Sequence, residues 1–262
     1  MARARLFCAV ALSASMSIFS GTVESFQKPP VAEAVLAHLD DLYRSKSSVS
    51  RMEIRVESRR TTRTLQLKAW SRGEEEVLVV IEEPAREAGT ATLRVFDNLW
   101  NYLPRIARTI RVPAAMMLGS WMGTDFTNDD LVKESSLHKD FVSRVQRRSE
   151  DPKGWWLTLD VKPEVVGRWA KIEFLVSDDW LPIEERHFDR KGRLARTMRF
   201  DEVKTLGGRR LPARLVLTPT DAEGQSTELR YLDIEFDVPI ADDTFSLSRL
   251  ERTRYRGRNR EG

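Results

Sequence analysis

The residues of this chain that have the chemistry for catalysis or metal binding are few and scattered. The three histidines, His38, His138 and His187, lie far apart in sequence, and none has a second His or Cys at the spacing of a metal site. His187 shares a predicted strand face with Glu185. No nucleophile elbow, dinucleotide-binding glycine loop or phosphate-binding loop occurs. The sequence therefore predicts structural or surface histidines, no enzyme activity and no cofactor.

A second arrangement that deserves a chemical interpretation is the acidic segment 125–130. One interpretation is that its aspartates form a carboxylate cluster near His138, the next histidine along the chain. The alternative is helix capping, with Thr127 or Asn128 as the cap and with Asp129 and Asp130 near the positive end of the helix dipole. We prefer capping.

Two aromatic side chains point to a binding surface. The pattern predicts a β-hairpin of residues 93–96, a turn at 97–98 and a second strand at 99–103. Trp100 and Tyr102 then share one face, because strand side chains alternate. We expect both to face an apolar concavity or its mouth, with Trp70 as a further candidate; the alternative is that they pack within a solid core.

An apolar run at residues 114–123 lacks the periodicity of a strand or a helix. It is rich in methionine, which adapts to ligands of variable shape but also fills irregular gaps in ordinary cores. We predict a lid over a cavity, with Gly119 and Gly123 as hinges; static core filling is the alternative. The predicted lid residues are Met116, Met117, Leu118, Trp121, Met122 and Phe126.

This part of the chain resembles the outer-membrane lipoprotein-sorting family, the LolA/LolB-like periplasmic carriers, and in particular its broad LolA-like branch. The resemblance is carried by D-N-L-W-N-Y-L-P-R followed by S-W-M-G-T-D-F-T-N-D-D-L within residues 89–133, and it extends loosely over about residues 30–248. It implies an open antiparallel β-barrel with helices plugging the concave face, an apolar cavity that holds acyl chains, and no catalytic residues.

Length and composition agree with one β-rich domain. Barrels of 200–250 residues commonly form a single domain, and the chain has 262 residues, of which 41% are hydrophobic and 32% charged. The net charge of +3 is small and does not indicate nucleic-acid binding. Arginines interleaved with aromatics between residues 100 and 111 are the one feature that suggests binding of single-stranded nucleic acid. The N-terminal sequence, described next, predicts export from the cytoplasm, which argues against that function.

The two ends of the chain differ from its middle. Arg3 and Arg5 precede an apolar stretch of about fourteen residues, the order of a signal peptide, which we assign to residues 1–25. Cys8 starts that stretch, whereas a lipidated cysteine would end it, so the mature protein is expected to be soluble, unlipidated and periplasmic. Residues 249–262 form a basic tail, either disordered or able to contact anionic lipid headgroups peripherally.

Between these ends, the pattern predicts one domain over residues 26–248. Residues 31–44 have helical spacing, and an up-and-down series of alternating strands fills most of the rest. No helix of 10–15 residues separates the later strands, which excludes a parallel βαβ architecture. The fold class is therefore mainly β with a few helices (α+β), and the dry face of the sheet must be covered by the helical segments.

The predicted function is that of a periplasmic carrier or chaperone, which binds acyl chains of lipoproteins or other envelope lipids in outer-membrane lipoprotein sorting. Its expected partners are a membrane donor and an outer-membrane acceptor. The alternative is a periplasmic sensor, similar to relatives of the fold that bind an anti-sigma factor.

Overall fold

A computed structural model of the chain describes residues 28–133, 137–165 and 167–252. The strands are β1 (Ser47–Glu57), β2 (Thr62–Arg72), β3 (Glu76–Glu83), β4 (Ala91–Val95), β5 (Asn98–Leu103), β6 (Arg108–Arg111), β7 (Phe141–Glu150), β8 (Lys153–Val161), β9 (Trp169–Val176), β10 (Pro182–Asp189), β11 (Leu194–Leu206), β12 (Arg209–Pro219) and β13 (Ser226–Phe236). The α-helices are α1 (Ala32–Leu42), α2 (Asn128–Lys133), α3 (Leu137–Asp140) and α4 (Leu247–Arg252), with 3-10 turns at Ala114–Met116 and Asp242–Phe245. The predicted signal peptide lies outside the described residues.

All thirteen strands pair antiparallel in one curled sheet that does not close. The spatial order is β6-β5-β4-β3-β2-β1-β13-β12-β11-β10-β9-β8-β7, so the first and last strands of the chain pair in the middle and β6 and β7 are the two edges. The predicted fold class, an open antiparallel barrel with few helices, is confirmed. No helix in the described ranges has the length and apolar character to cross a bilayer.

Residues with positive φ form two of the turns that connect the strands. Gly207 and Gly208 connect β11 to β12 with φ of +55° and +79°, a conformation in which a side chain would be strained. The hairpin of β4 and β5 turns at Phe96 and Asp97, one residue earlier than predicted, and Phe96 takes a φ of +52°. The strand parity of the hairpin is unchanged by this shift.

The register defines an inner face that runs across most of the sheet. Ile54 on β1 pairs with Leu65 on β2 and with Leu229 on β13, and Leu229 pairs with Leu215 on β12. Because paired residues point to the same side of a sheet, these side chains form one apolar row. Helices α1, α2 and α3 lie on this side, so the inner face is the one that they cover.

Helix α1 covers the inner face near β8 and β9. Val35 and Leu36 are fully buried and pack against Leu157, Leu159 and the rest of a core cluster on these strands. Burial of a side chain of this size contributes about 1.5–3 kcal/mol. The apolar residues of α1 therefore attach the helix to the dry face of the sheet, as the sequence predicts.

A second core lies on the opposite, outer face of β3, β4 and β5. It is called here the outer cluster, and its buried members are Leu78, Ala91, Leu93, Tyr102, Phe245 and Leu250. The last two come from the 3-10 turn at Asp242–Phe245 and from α4. Leu250 is fully buried, so the packed domain extends past the predicted boundary at residue 248; residues 253–262 of the basic tail lie outside the described residues.

Candidate ligand cavity

A cavity of about 320 Å³ lies between the inner face and the segments that cover it. Its wall draws on β1–β3 and β8–β13, on α1, on residues between Trp121 and Leu131, and on Leu137, Asp140 and Phe141. Its apolar residues include Met52, Ile54, Leu67, Ala69, Val77, Val79, Met198, Phe200, Leu215, Leu229 and Ile234. A large apolar concavity lined by several strands is the usual form of a small-molecule site.

Three of the predicted ligand-binding residues belong to this wall. Trp121 and Phe126 line it from the loop of residues 112–127, called here the cavity loop. Trp70 also contributes to the wall, although it pairs with Leu78 and packs against the outer cluster. Whether these residues bind a ligand stays a prediction.

The structure divides the remaining residues of the predicted lid between the core and the solvent. Met116 and Leu118 are 60% and 51% exposed, and they do not line the cavity. Met117 is half-buried, and Met122 packs against the apolar cluster that contains Trp121. The run is therefore not one continuous apolar cover over the cavity.

Trp100 and Tyr102 lie on the outer face, away from the cavity. The register places Trp100 beside Leu93 and Tyr102 beside Ala91, and both pack in or against the outer cluster. Tyr102 is 1% exposed. The predicted shared face is correct, but the surface that covers it is the C-terminal segment of the chain, so the structure favours the solid-core alternative for this pair.

The cavity loop is attached to several strands at once. Trp121 donates its Nε1 hydrogen to Thr92 Oγ1 on β4 at 3.0 Å. Arg63 on β2 donates to the carbonyl of Met122 at 2.6 Å. Thr227 Oγ1 on β13 donates to a carboxylate oxygen of Asp125 at 2.7 Å. These bonds fix the Trp121 indole in the cavity wall.

An ion pair joins α2 to the inner face at the edge of the cavity. The Arg196 guanidinium on β11 donates to both carboxylate oxygens of Asp130, at 2.7 and 2.8 Å. Burial alone would raise the pKa of Asp130, but the Arg196 charge outweighs it and holds the pKa below its ordinary value. The same carboxylate accepts the backbone N–H of Thr127, whose hydroxyl in turn accepts the N–H of Asp130. This reciprocal capping pair confirms the predicted cap at Thr127.

A buried histidine stands next to this ion pair. His187 on β10 pairs in register with Arg196, and its Nε2 lies 2.5 Å from Glu185 Oε1. Its ring meets the Trp169 ring edge-on at 4.7 Å, and the Arg196 guanidinium lies over the same indole at 4.5 Å. Burial and then the Arg196 charge lower the pKa of His187, against the opposing effect of Glu185. At neutral pH the imidazole is therefore uncharged.

This polar cluster, Asp130, Trp169, Glu185, His187 and Arg196, was not predicted as a site. Strand alternation was the available signal, because it places Glu185 and His187 on the otherwise apolar face of β10. The charged residues of the cavity wall within the described ranges are Asp40, Asp129, Asp130, Asp140, Glu185, Arg44, Arg168 and Arg196. In that same part of the chain, no three His, Cys, Asp or Glu side chains group as a metal site requires.

Comparison with known proteins gives a family and a fold. A family model described as an uncharacterised protein matches residues 73–252. Comparison with curated proteins gives no match. Among solved structures, a DUF1329 family protein from Desulfovibrio piger aligns with a TM-score of 0.75 at 20% identity, over 83% of this chain and 97% of that one.

Two further structures carry descriptions that bear on function. An outer membrane lipoprotein-sorting protein domain from Vibrio parahaemolyticus aligns with a TM-score of 0.70 at 20% identity, over 84% of this chain and 98% of its own. A LolA superfamily protein from Nitrosomonas europaea aligns with a TM-score of 0.70 at 21% identity, over 84% and 100%. The chain therefore belongs to the family of uncharacterised proteins whose model spans most of its length, and it has the fold of the LolA superfamily.

Proposed function

We propose that the protein is a periplasmic, non-catalytic carrier or chaperone that binds acyl chains of lipoproteins or other envelope lipids in its cavity. The observation that carries this proposal is the apolar wall of the cavity along β1–β3, β12 and β13. A volume of about 320 Å³ falls within the range of ligand pockets. Similarity of fold to a LolA superfamily protein and to a lipoprotein-sorting domain supports the same class of function.

The energetics of such a cavity suit a carrier. Each methylene group removed from water contributes about 0.8 kcal/mol. About ten methylenes therefore supply roughly 8 kcal/mol, which corresponds to micromolar affinity. That affinity holds the acyl chain during transport and still permits its release. We propose that a membrane donor supplies the ligand and that an outer-membrane acceptor receives it.

Filling the cavity tests the proposal. Ala69 lies in the wall on β2, and Thr64 lies on the same strand with an exposed side chain on the outer face. We expect Ala69→Phe to weaken binding of a fluorescent acyl ester by about tenfold or more. The added ring occupies the space of the ligand, and the apolar burial that the ligand then loses is worth more than about 1 kcal/mol. Thr64→Phe is the matched control and should leave binding unchanged.

Two outcomes would contradict the carrier. One is failure of the wild-type protein to bind the ester at all. The other is equal binding by Ala69→Phe and the wild type with both proteins folded. Native mass spectrometry of protein from its own envelope should also detect a bound lipid. A lipid-free protein that stably captures a membrane-anchored partner would support the sensor alternative.

A further inference from the structure

The cavity has a polar end that a bare acyl chain does not use. We propose that His187 and Arg196 recognise an uncharged head group with both a hydrogen-bond donor and an acceptor, an amide or a hydroxyl group, attached to the acyl chain. This inference rests on the proposed function and specifies the ligand class of the same cavity.

Three buried polar atoms in this end have no hydrogen-bond partner among the described residues. They are Nδ1 and Nε2 of His187 and Nε of Arg196. Both side chains belong to the cavity wall, and they are 4% and 6% exposed as residues. Buried polar groups are normally paired, so these unpaired atoms on adjacent strands of a cavity wall indicate a missing partner.

The chemistry of the two atoms follows from their neighbours. Glu185 Oε1 lies 2.5 Å from His187 Nε2 without the geometry of a hydrogen bond, but an acceptor oxygen at that distance favours the tautomer that has the imidazole proton on Nε2. Nδ1 of the uncharged ring is then an acceptor. Asp130 accepts one N–H from each terminal nitrogen of Arg196, and Nε is the nitrogen of this guanidinium that has no partner among the described residues. The site therefore offers an acceptor on His187 and a donor on Arg196.

The two side chains are also neighbours, because both contact the Trp169 ring. His187 and Arg196 face each other in register across β10 and β11, on the same side of the sheet. An amide can donate its N–H to Nδ1 of His187 and accept the Nε–H of Arg196 through its carbonyl oxygen. A hydroxyl group can donate and accept from one oxygen atom. An ester offers no donor, and neither does an ionised carboxylate.

Charge separates an uncharged head from an anionic one. Arg196 is already compensated by Asp130, and Glu185 adds a further carboxylate to the cluster. Arg168 lies over the Trp169 ring at 4.8 Å, but it is exposed and its charge is screened by water. Arg44, a further arginine of the wall with an unpaired nitrogen, lies near the opposite end of β11 and β12, where Arg209 donates to its carbonyl. A carboxylate head beside His187 would therefore find no free positive charge within this cluster, so the site disfavours it.

Four lipids with the same eighteen-carbon chain test the proposal by displacing a fluorescent acyl ester from the wild-type protein. Oleamide and monoolein should bind about 3- to 10-fold more tightly than methyl oleate, the size of one or two hydrogen bonds. Oleate at neutral pH should bind more weakly than oleamide. A peptide with an oleoylated N-terminus carries the same amide: tighter binding than oleamide indicates an acylated polypeptide as the source, and weaker binding indicates a free lipid.

A pair of variants identifies the residues. His187→Phe keeps an aromatic ring against Trp169 but removes the acceptor, so the advantage of oleamide over methyl oleate should fall to about onefold. Tyr102→Phe, a change of one buried aromatic residue in the outer cluster, is the control and should keep the advantage.

Equal or tighter binding of oleate than of oleamide overturns the proposal, and so does an unchanged advantage in His187→Phe. If that variant does not fold, the wild-type order of the four lipids decides alone. Failure of the tracer and of methyl oleate to bind at all is a different result, because it contradicts the carrier function itself.

Discussion

The ion pair between Asp130 and Arg196 should control how firmly α2 is held on the sheet. Its side chains are 15% and 7% exposed, and two hydrogen bonds of 2.7 and 2.8 Å join them. Removing one member of a buried pair leaves an uncompensated charge, which costs about 3–5 kcal/mol. We therefore expect Asp130→Asn and Arg196→Met each to lower the free energy of unfolding by about that amount.

The double variant gives the sharper test, because it removes both charges. Two independent losses would sum to roughly 6–10 kcal/mol, which approaches the whole stability of a typical domain. If the pair acts as a unit, the double variant should lose no more than one single variant does, a coupling of about 3 kcal/mol or more. Urea unfolding of the four proteins at pH 7 measures it, and additive losses would refute the reasoning.

Acid provides a second measure of the same pair. The pKa of Asp130 is lowered in the folded protein from its ordinary value of 3.8. Its contribution to stability is therefore fully present above pH 3.8 and is lost as the pH falls through the lower folded-state value. Asp130→Asn cannot titrate, so it should lack this part of the acid dependence. An acid limb identical to that of the wild type would show that other carboxylates are responsible.

Three further predictions follow from single residues. Tyr102→Ala should lower the free energy of unfolding by about 3–5 kcal/mol and leave the affinity for an acyl ester unchanged, because its ring packs in the outer cluster; weakened binding in a folded variant would contradict this. Trp121→Phe, which loses the bond to Thr92, should cost about 1 kcal/mol in urea unfolding, and a loss below about 0.3 kcal/mol would mean that the bond contributes nothing. The pKa of His187 is lowered in the folded protein, so its contribution to stability is fully present above pH 6.5 and is lost as the pH falls below that value, by up to about 1.4 kcal/mol per pH unit. His187→Phe should remove this slope of stability against pH, and an unchanged slope would assign it to another group.

The sheet could be predicted from the sequence because its signals are local. Alternation along strands such as 52–56, and turns such as Gly207-Gly208, each depend on a few neighbouring residues. The order of the strands depends on pairing over long distances, and β1 with β13 is the main example. The resemblance to LolA-like carriers implied an open antiparallel barrel but no strand order, so this pairing comes from the structure alone.

The position of the hairpin aromatics shows where local signals end. Alternation establishes that Trp100 and Tyr102 share a face, but it does not say which face of the sheet that is. The answer depends on the register through β4 and β3, which aligns Trp100 with Leu93 and Leu93 with Leu78. It depends also on α4, whose Leu250 covers the outer face from more than a hundred residues away. A strand with apolar side chains on both faces has two candidate cores, and only the tertiary contacts choose between them.

Asp130 shows the same limit in a single side chain. Its local role, a cap at the first turn of α2, was predictable from its spacing to Thr127 and is present in the structure. Its second role, the pair with Arg196, joins residues 66 positions apart and leaves no trace in the spacing. The cap orients the carboxylate, and the oriented carboxylate then bonds to both terminal nitrogens of Arg196, so that Nε is the nitrogen of this guanidinium without a partner among the described residues. A helix cap that the sequence reveals therefore helps to define the donor that the cavity offers, through a contact that the sequence does not reveal.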